Sequence, residues 1–398
     1  MAAAGTEHTA ALTTAGKIRC WGCDDYGQCS CVPHLSEGDF FVMVTAGSEH
    51  TVALTSMGKI CCWGCDAQGQ CNGMPNFSEE DVFVMVGAGD EYTVALTSTG
   101  KLYGWGLFPQ DNVPELREGE IYIMVAAGYT YMTAFTSMGR FHAWGTDPLE
   151  GFPKHDETQL ALPEFADGEA VTMASASFQH QVILTNMGKI YCGGFDLPDS
   201  DAGYFGECKD APVLPEGVFY TMAIAAGWRT IALTSMGEII CWGDDSCGLC
   251  SGVPELLEGE FYTAVAGGDG HTVAITSMGT MHCWGEDNCG QCSDVPELPE
   301  GESFAISGLA VPTSVILNLY LVRRGEGVEI ECRRLSGNLL AVALFESEAD
   351  TVRDLLRSLS PILQYNHVLL LPCGRRICQF AMDMTSVFIR VLETNLKF

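Results

Sequence analysis

The chain reads as all-β: a seven-bladed β-propeller over residues 1–317 followed by a small α+β domain over 326–398. Three observations predict this. A Thr-x-x-Gly tetrapeptide ends at Gly16, Gly58, Gly100, Gly139, Gly188, Gly237 and Gly279, so successive copies lie 42, 42, 39, 49, 49 and 42 residues apart. Each copy is followed within a few residues by Trp-Gly or a degenerate form of it, and the segments between have strand-like rather than helical patterning. A period in that range is the mark of a radial array.

One repeat shows how the residues write a blade. In the seventh, Phe261 to Ala266, His271 to Thr276 and Thr280 to Trp284 are short β-type runs separated by Gly-rich or polar breaks. The Ser277-Met278-Gly279 step is a tight hairpin, with Gly279 free to take positive φ. The tail from Gly285 to Glu302, with a Gly turn and two prolines, is expected to supply a fourth, edge strand and a surface connection. The chain opens inside a repeat, without a Phe-x-x-Val run before His8, whereas Glu302 to Gly308 resembles Glu260 to Gly267. Phe304 to Ser307 is therefore expected to pair in the sheet of His8 to Thr13 and close the ring, leaving no open edge.

The pattern Ala-Gly-x-x-His-Thr-x-Ala-Leu-Thr-x-x-Gly, followed by Trp-Gly and Gly-Gln, is best kept in His50 through Gln70 and His271 through Gln291. It resembles the repeat of the regulator-of-chromosome-condensation (RCC1) family, whose members form seven-bladed propellers. The fifth repeat departs, with Gly193-Gly194 for Trp-Gly, and Cys29, Cys71 and Cys292 stand where the family more often has Leu. Large HECT-class (HERC-like) ubiquitin ligases carry similar propellers, so the resemblance implies a scaffold with a link to the ubiquitin pathway. The founding member's activity implies the alternative, guanine-nucleotide exchange on a Ran-like small GTPase.

Beyond Val328 the pattern changes. Val328 to Arg334 and Leu339 to Phe345 read as a hairpin, and Asp350 to Leu363 as an amphipathic helix; His367 to Leu371 and Val387 to Leu392 read as further strands. This order resembles ubiquitin-like domains. The family's recognition patch would fall on Leu335, Leu371 and Arg390, and the charge of Arg390 departs from it. The chain ends Asn395-Leu396-Lys397-Phe398, lacking the Gly-Gly that conjugation needs, so the resemblance implies a docking module.

Twenty Lys and Arg against 51 Asp and Glu give a net charge of -31, which repels a phosphate backbone and leaves nucleic acid out as a direct partner. The expected partner is a protein, basic or a small GTPase. The amino terminus lacks a basic segment followed by an apolar core, and the longest apolar stretch, Ala310 to Val322, carries Pro312 and Asn318. No signal peptide and no membrane insertion are expected. Nineteen Cys without a signal peptide are read as reduced thiols of a cytoplasmic or nuclear protein.

Candidate site residues come from the loops ahead of each second strand, where a rigid scaffold concentrates recognition: Glu49, Asp90, Glu91, Tyr129, Phe178, Trp228, Arg229 and Asp269. Trp228 is the one Trp outside the Trp-Gly position, and a Trp-Arg pair suits an interface. Nothing in the sequence points to catalysis, and no cofactor is expected. The row His8, His50, Tyr92, Tyr131, His180, Arg229 and His271 is read as bonding loop backbone within each blade rather than as a metal ring. Cys20, Cys62, Cys192, Cys241 and Cys283 are read as small apolar packing residues. A zinc at Cys247, Cys250, Cys289 and Cys292 is the alternative weighed and set aside, so no metal is expected.

Overall fold

A computed structural model describes residues 1–78, 82–108, 113–145, 165, 169–178, 180–194, 208 and 211–305, together with the strand backbones at 317–324, 327–334, 339–345 and 390–392. The chain divides into two compact units, Met1–Val311 and Pro312–Phe398.

The first unit holds seven three-stranded antiparallel sheets. In chain order these are β1 (Ala2–Ala4), β2 (His8–Leu12) and β3 (Ile18–Gly22); β4 (Phe41–Ala46), β5 (His50–Thr55) and β6 (Ile60–Gly64); β7 (Phe83–Ala88), β8 (Tyr92–Thr97) and β9 (Leu102–Gly106). They continue with β10 (Tyr122–Ala127), β11 (Tyr131–Thr136) and β12 (Phe141–Gly145); β13 (Val171–Ala176), β14 (His180–Thr185) and β15 (Ile190–Gly194). The last two are β16 (Tyr220–Ala226), β17 (Arg229–Thr234) and β18 (Ile239–Gly243), then β19 (Tyr262–Gly267), β20 (His271–Thr276) and β21 (Met281–Gly285). Each first strand touches the first strands of both neighbouring sheets, β19 meeting β1, so the ring is closed and seven-bladed.

Position in the ring explains composition. The middle strands are buried along their whole length because a blade packs on either side, which is why His-Thr-Val-Ala-Leu-Thr reads as a continuous rather than alternating run. The first strands converge on the axis and leave a channel of about 180 Å³ lined largely by Ala and Gly. At Gly267 no side chain fits, since a Cβ there would sit 2.5 Å from that of Ala226. The second and third strands join through the Thr-x-x-Gly hairpin, as in Gly279, which takes φ +74° and donates to the Thr276 carbonyl at 2.9 Å.

The expected fourth strand does not form in the described tails. Asp24, Asp66, Asp245 and Asp287 each accept two backbone N–H groups five and six residues on, at 2.8–3.0 Å, and so wind the tail into a turn. Those amides are then spent, and the prolines that follow have none to offer a ladder.

Ring closure differs in detail from the expectation. Phe304 does bridge Thr13 in the first sheet, while 306–307 lie outside the described residues. The axial strand of this blade, however, is composite. Ala305 N–H donates to the Leu12 carbonyl at 2.9 Å, the Met1 nitrogen donates to the Ala305 carbonyl, and Ala2, Ala3 and Ala4 pair with Ala11, Ala10 and Thr9. Phe304-Ala305 followed by Met1 to Ala4 thus retraces Phe41 to Ala46, whose Phe41 pairs with Thr55 and Ala46 with Thr51. Phe304 rests on Trp21 with ring centroids 6.1 Å apart, as Phe41 rests on Trp63 at 6.4 Å. Three alanines carry little strand signal in sequence; the narrow axis is what makes them fit.

In the second unit β22 (Leu317–Arg324), β23 (Gly327–Arg334), β24 (Leu339–Phe345) and β25 (Arg390–Leu392) form one sheet in the order β24-β23-β22-β25, with β22 and β25 parallel. The β23–β24 pairing is the expected hairpin. The expected helix at 350–363, the strand at 367–371, and the candidate positions Leu335 and Leu371 lie outside the described residues; Arg390 opens β25.

Candidate interaction face and blade junctions

The row that begins each middle strand is a set of clasps between blades. Thr51 donates its hydroxyl proton to the Gln28 carbonyl at 3.0 Å, so its oxygen accepts from His8 Nε2 at 3.0 Å, which fixes that histidine as the Nε2–H tautomer. His50 reaches Thr93 at 3.1 Å, His180 reaches Thr230 at 3.1 Å, and His271 crosses the ring closure to Thr9 at 2.8 Å. Tyr92 donates to the Tyr131 carbonyl at 2.6 Å and Tyr131 to the His180 carbonyl at 2.7 Å. The expectation of bonds within each blade is corrected: the partners lie on the next blade, because the side chain leaves a middle strand sideways. The Gly of Ala-Gly-x-x-His makes room for the ring, since a Cβ on Gly47 would sit 2.4 Å from His50 Cε1. Indole N–H groups reinforce the junctions in the other direction: Trp21 donates to the Gln291 carbonyl and Trp63 to that of Gln28, at 3.0 and 2.9 Å.

These imidazoles are neutral. Burial pushes the pKa of His8 and His180 down to about 3 and that of His50 and His271 down to about 4.

Arg229 belongs to this row and not to the surface. It is fully buried, and its guanidinium donates to the carbonyls of Gly268, Asp269 and His271 and to the Thr272 hydroxyl, at 3.2, 2.8, 2.8 and 3.1 Å. Its expected place in a binding face is therefore withdrawn. Burial lowers its pKa to about 10, opposed by Asp269, Asp244 and Glu286, and it stays charged at neutral pH.

The other candidates do share one end of the ring. Asp90, Tyr129, Phe178 and Asp269 line the channel mouth. Tyr129 packs on Phe178 with centroids 4.7 Å apart and Phe178 on Trp228 at 5.3 Å, the rings tilted to one another by 54° and 44°, an aromatic ladder across three successive blades. All three rings are half-buried. Burial and the hydrogen-bonded Asp90 carboxylate push the Tyr129 phenol up to about 12. Glu49 is exposed beside the mouth and Glu91 half-buried. Two polar neighbours escaped notice in the sequence: Thr6 donates to Asp269 Oδ2 at 3.1 Å, and Glu286 packs where a Cβ on Gly270 would lie 2.4 Å from its carboxylate. Only the register between blades reveals them.

The cysteines depart from the packing expectation. Disulfides join Cys62 to Cys71, Cys192 to Cys208, Cys241 to Cys250 and Cys283 to Cys292. Each ties the end of a third strand to the tail of its own blade. The alternative zinc set is broken by the same geometry, because Cys250 and Cys292 are committed to partners within separate blades.

The description "Regulator of chromosome condensation (RCC1) repeat" matches residues 2–28, 41–70, 84–109 and 262–291. The propeller is RCC1-like. Prp20p from Saccharomyces cerevisiae, studied for its binding to Gsp1p and histones, is similar at 20% identity and TM-score 0.54, over 69% of this chain and 81% of its own. The RCC1-like fold is also shared with human WBSCR16, at 19% identity and TM-score 0.52 over 69% and 86% of the two chains. The CRINKLY WD40 ectodomain of the Arabidopsis thaliana receptor kinase ACR4 is similar at 15% identity and TM-score 0.52, over 73% and 97%. No curated protein sequence matches the chain. Among the described residues no helix is long and apolar enough to cross a membrane.

Proposed function

We propose that this RCC1-like propeller is a non-enzymatic protein-interaction scaffold whose channel-mouth face takes a basic protein partner. The carrying observation is the ladder Tyr129, Phe178 and Trp228, with Asp90 and Asp269 at the same channel mouth. Contiguous aromatics supply desolvated contact area at low entropic cost, and a carboxylate rim steers a cationic surface toward them. That the similar propeller Prp20p was studied for binding Gsp1p and histones supports a protein as the ligand class. The reading is tested by titrating a core histone dimer, as a basic probe, against the intact chain and the Phe178→Ala/Trp228→Ala double variant. Binding should weaken by two orders of magnitude or more in the variant, since each such anchor is worth about 2 kcal/mol, and should fall with added salt. Equal affinity for both chains would refute the assignment of this face.

The second reading, nucleotide exchange on a Ran-like GTPase, uses the same face. Release of labelled guanine nucleotide from such a GTPase is expected to be unchanged by micromolar protein, and a clear acceleration would reverse the ranking. The C-terminal unit is read as a ubiquitin-like docking module linking the scaffold to the ubiquitin pathway; the antiparallel β23–β24 pair fits the hairpin of that reading, whereas β25 pairs with β22, ahead of the expected domain, and not with β23.

A further inference from the structure

At the seam where the seventh blade meets the first, Glu7, Cys23 and Cys289 bring one carboxylate oxygen and two sulfurs within 4.8 Å of one another. They come from opposite ends of the propeller sequence, so no local spacing announces them. We propose that this trio is a binding site for a divalent cation of the zinc class, with water completing a tetrahedral shell.

Three observations carry the assignment. The donor set comes first: two thiolates select a borderline-soft ion over magnesium or calcium, and the carboxylate is a common third ligand. Geometry comes second. The Cys289 sulfur lies 3.7 Å from Glu7 Oε2, a separation that two ligands of one tetrahedral ion can adopt. The third is preorganisation. Cys23 N–H donates to the Glu7 carbonyl at 2.8 Å, which holds those two residues in register. Cys289 N–H donates to Gln291 Oε1 at 2.8 Å, and the Gln291 carbonyl is gripped from the first blade by Trp21 at 3.0 Å and Thr9 at 3.3 Å. The loop bearing one sulfur is thereby clamped to the blade bearing the other two ligands.

The repeat supplies its own control. At the next junction the same three places hold Glu49, Cys65 and Tyr26, and at the one after that Glu91, Leu107 and Gln68. Neither set offers two sulfurs and a carboxylate. The trio sits at the junction between the last blade and the first, where a metal bridge ties together the two ends of the propeller sequence.

Cobalt(II) is the probe, added to the intact chain under argon without thiol reductant. One cobalt per chain is expected, with a sulfur-to-cobalt charge-transfer band that zinc abolishes. The band should vanish in Cys23→Ser and in Cys289→Tyr, the latter borrowing the residue that the first blade carries, and persist in Cys65→Ser. Glu7→Gln should weaken binding by at least about tenfold, because even outer-shell partners are worth that much. Zinc should raise the thermal midpoint of the parent chain and leave that of Cys289→Tyr unmoved. A band of equal strength in parent and variants, displacement by magnesium as readily as by zinc, or a Cys23–Cys289 disulfide in a non-reduced peptide map would each overturn the proposal.

Discussion

Arg229 stands where four blades carry histidine and two carry tyrosine, and its greater length lets one side chain satisfy three carbonyls and a hydroxyl of the seventh blade. Removing it strands buried acceptors, so Arg229→Ala should lower unfolding free energy by about 3 kcal/mol or more, read by chemical denaturation. Binding at the channel mouth should change little in whatever fraction stays folded. The row itself was legible in the sequence, because the position recurs with the period. Whether a member points outward or into the next blade was not, because its partners lie 39 to 43 residues away and a Trp-Arg pair looks the same either way. The cysteines carried a signal of the same kind that went unread. Wherever the residue before Trp-Gly, or before Gly193 in the fifth repeat, is Cys, a second Cys follows in the tail; where it is Gly104 or Ala143, the strand-end Cys is missing. Cys20 and Cys29 occupy that pair of places in the first blade, their sulfurs 2.6 Å apart. Peptide mapping without reduction should recover them linked, and free alkylation of Cys20 in the native protein would count against it. With disulfides in the blades, the thiol-based argument for a reducing compartment falls away.

At the scale of the element, the middle strand is held to its neighbours by neutral imidazoles, and this sets a pH dependence. The folded pKa values, about 3 to 4, lie below the ordinary 6.5, so the unfolded chain binds more protons at intermediate pH. Stability from these four residues is complete above pH 6.5 and declines as pH falls below it, by up to about 1.4 kcal/mol per histidine per pH unit until the folded pKa values are reached. Thermal midpoints between pH 7 and 5 should drop steeply, and a flat profile would contradict the clasp. Gly47→Ala should remove one clasp by steric conflict alone and show as a lower midpoint at neutral pH. Strand positions were readable because Trp-Gly and Thr-x-x-Gly bracket them. The tail was misread as a strand because the aspartates that capture its amides act through a turn, and a turn leaves no periodicity.

For the whole molecule, the number of blades followed from counting repeats, while the manner of closing did not. A strand of three alanines is chemically almost silent, and the Phe304-Ala305 segment that continues it comes from the other end of the propeller sequence. Phe304 is buried against Trp21 and is the anchor of the carboxy-terminal contribution. Phe304→Ala should cost about 3–5 kcal/mol by large-to-small truncation in a packed site, with the loss read as a shift in denaturant midpoint. A loss under 1 kcal/mol would mean that the bridge to Thr13 is incidental. The aromatic ladder was foreseen residue by residue but not as a continuous surface, since contiguity depends on how far each blade is rotated from the last. The composite strand also bears on how the molecule is made. Most blades can assemble from a local stretch as it emerges from the ribosome, but the first must wait for residues 304 and 305, leaving the Leu12 carbonyl and Thr13 without their edge partners, and Trp21 without the Phe304 ring, throughout synthesis. The earliest blade translated is the last completed, so the nascent propeller presents an unpaired, apolar edge for the longest interval in its synthesis and depends most on chaperones there.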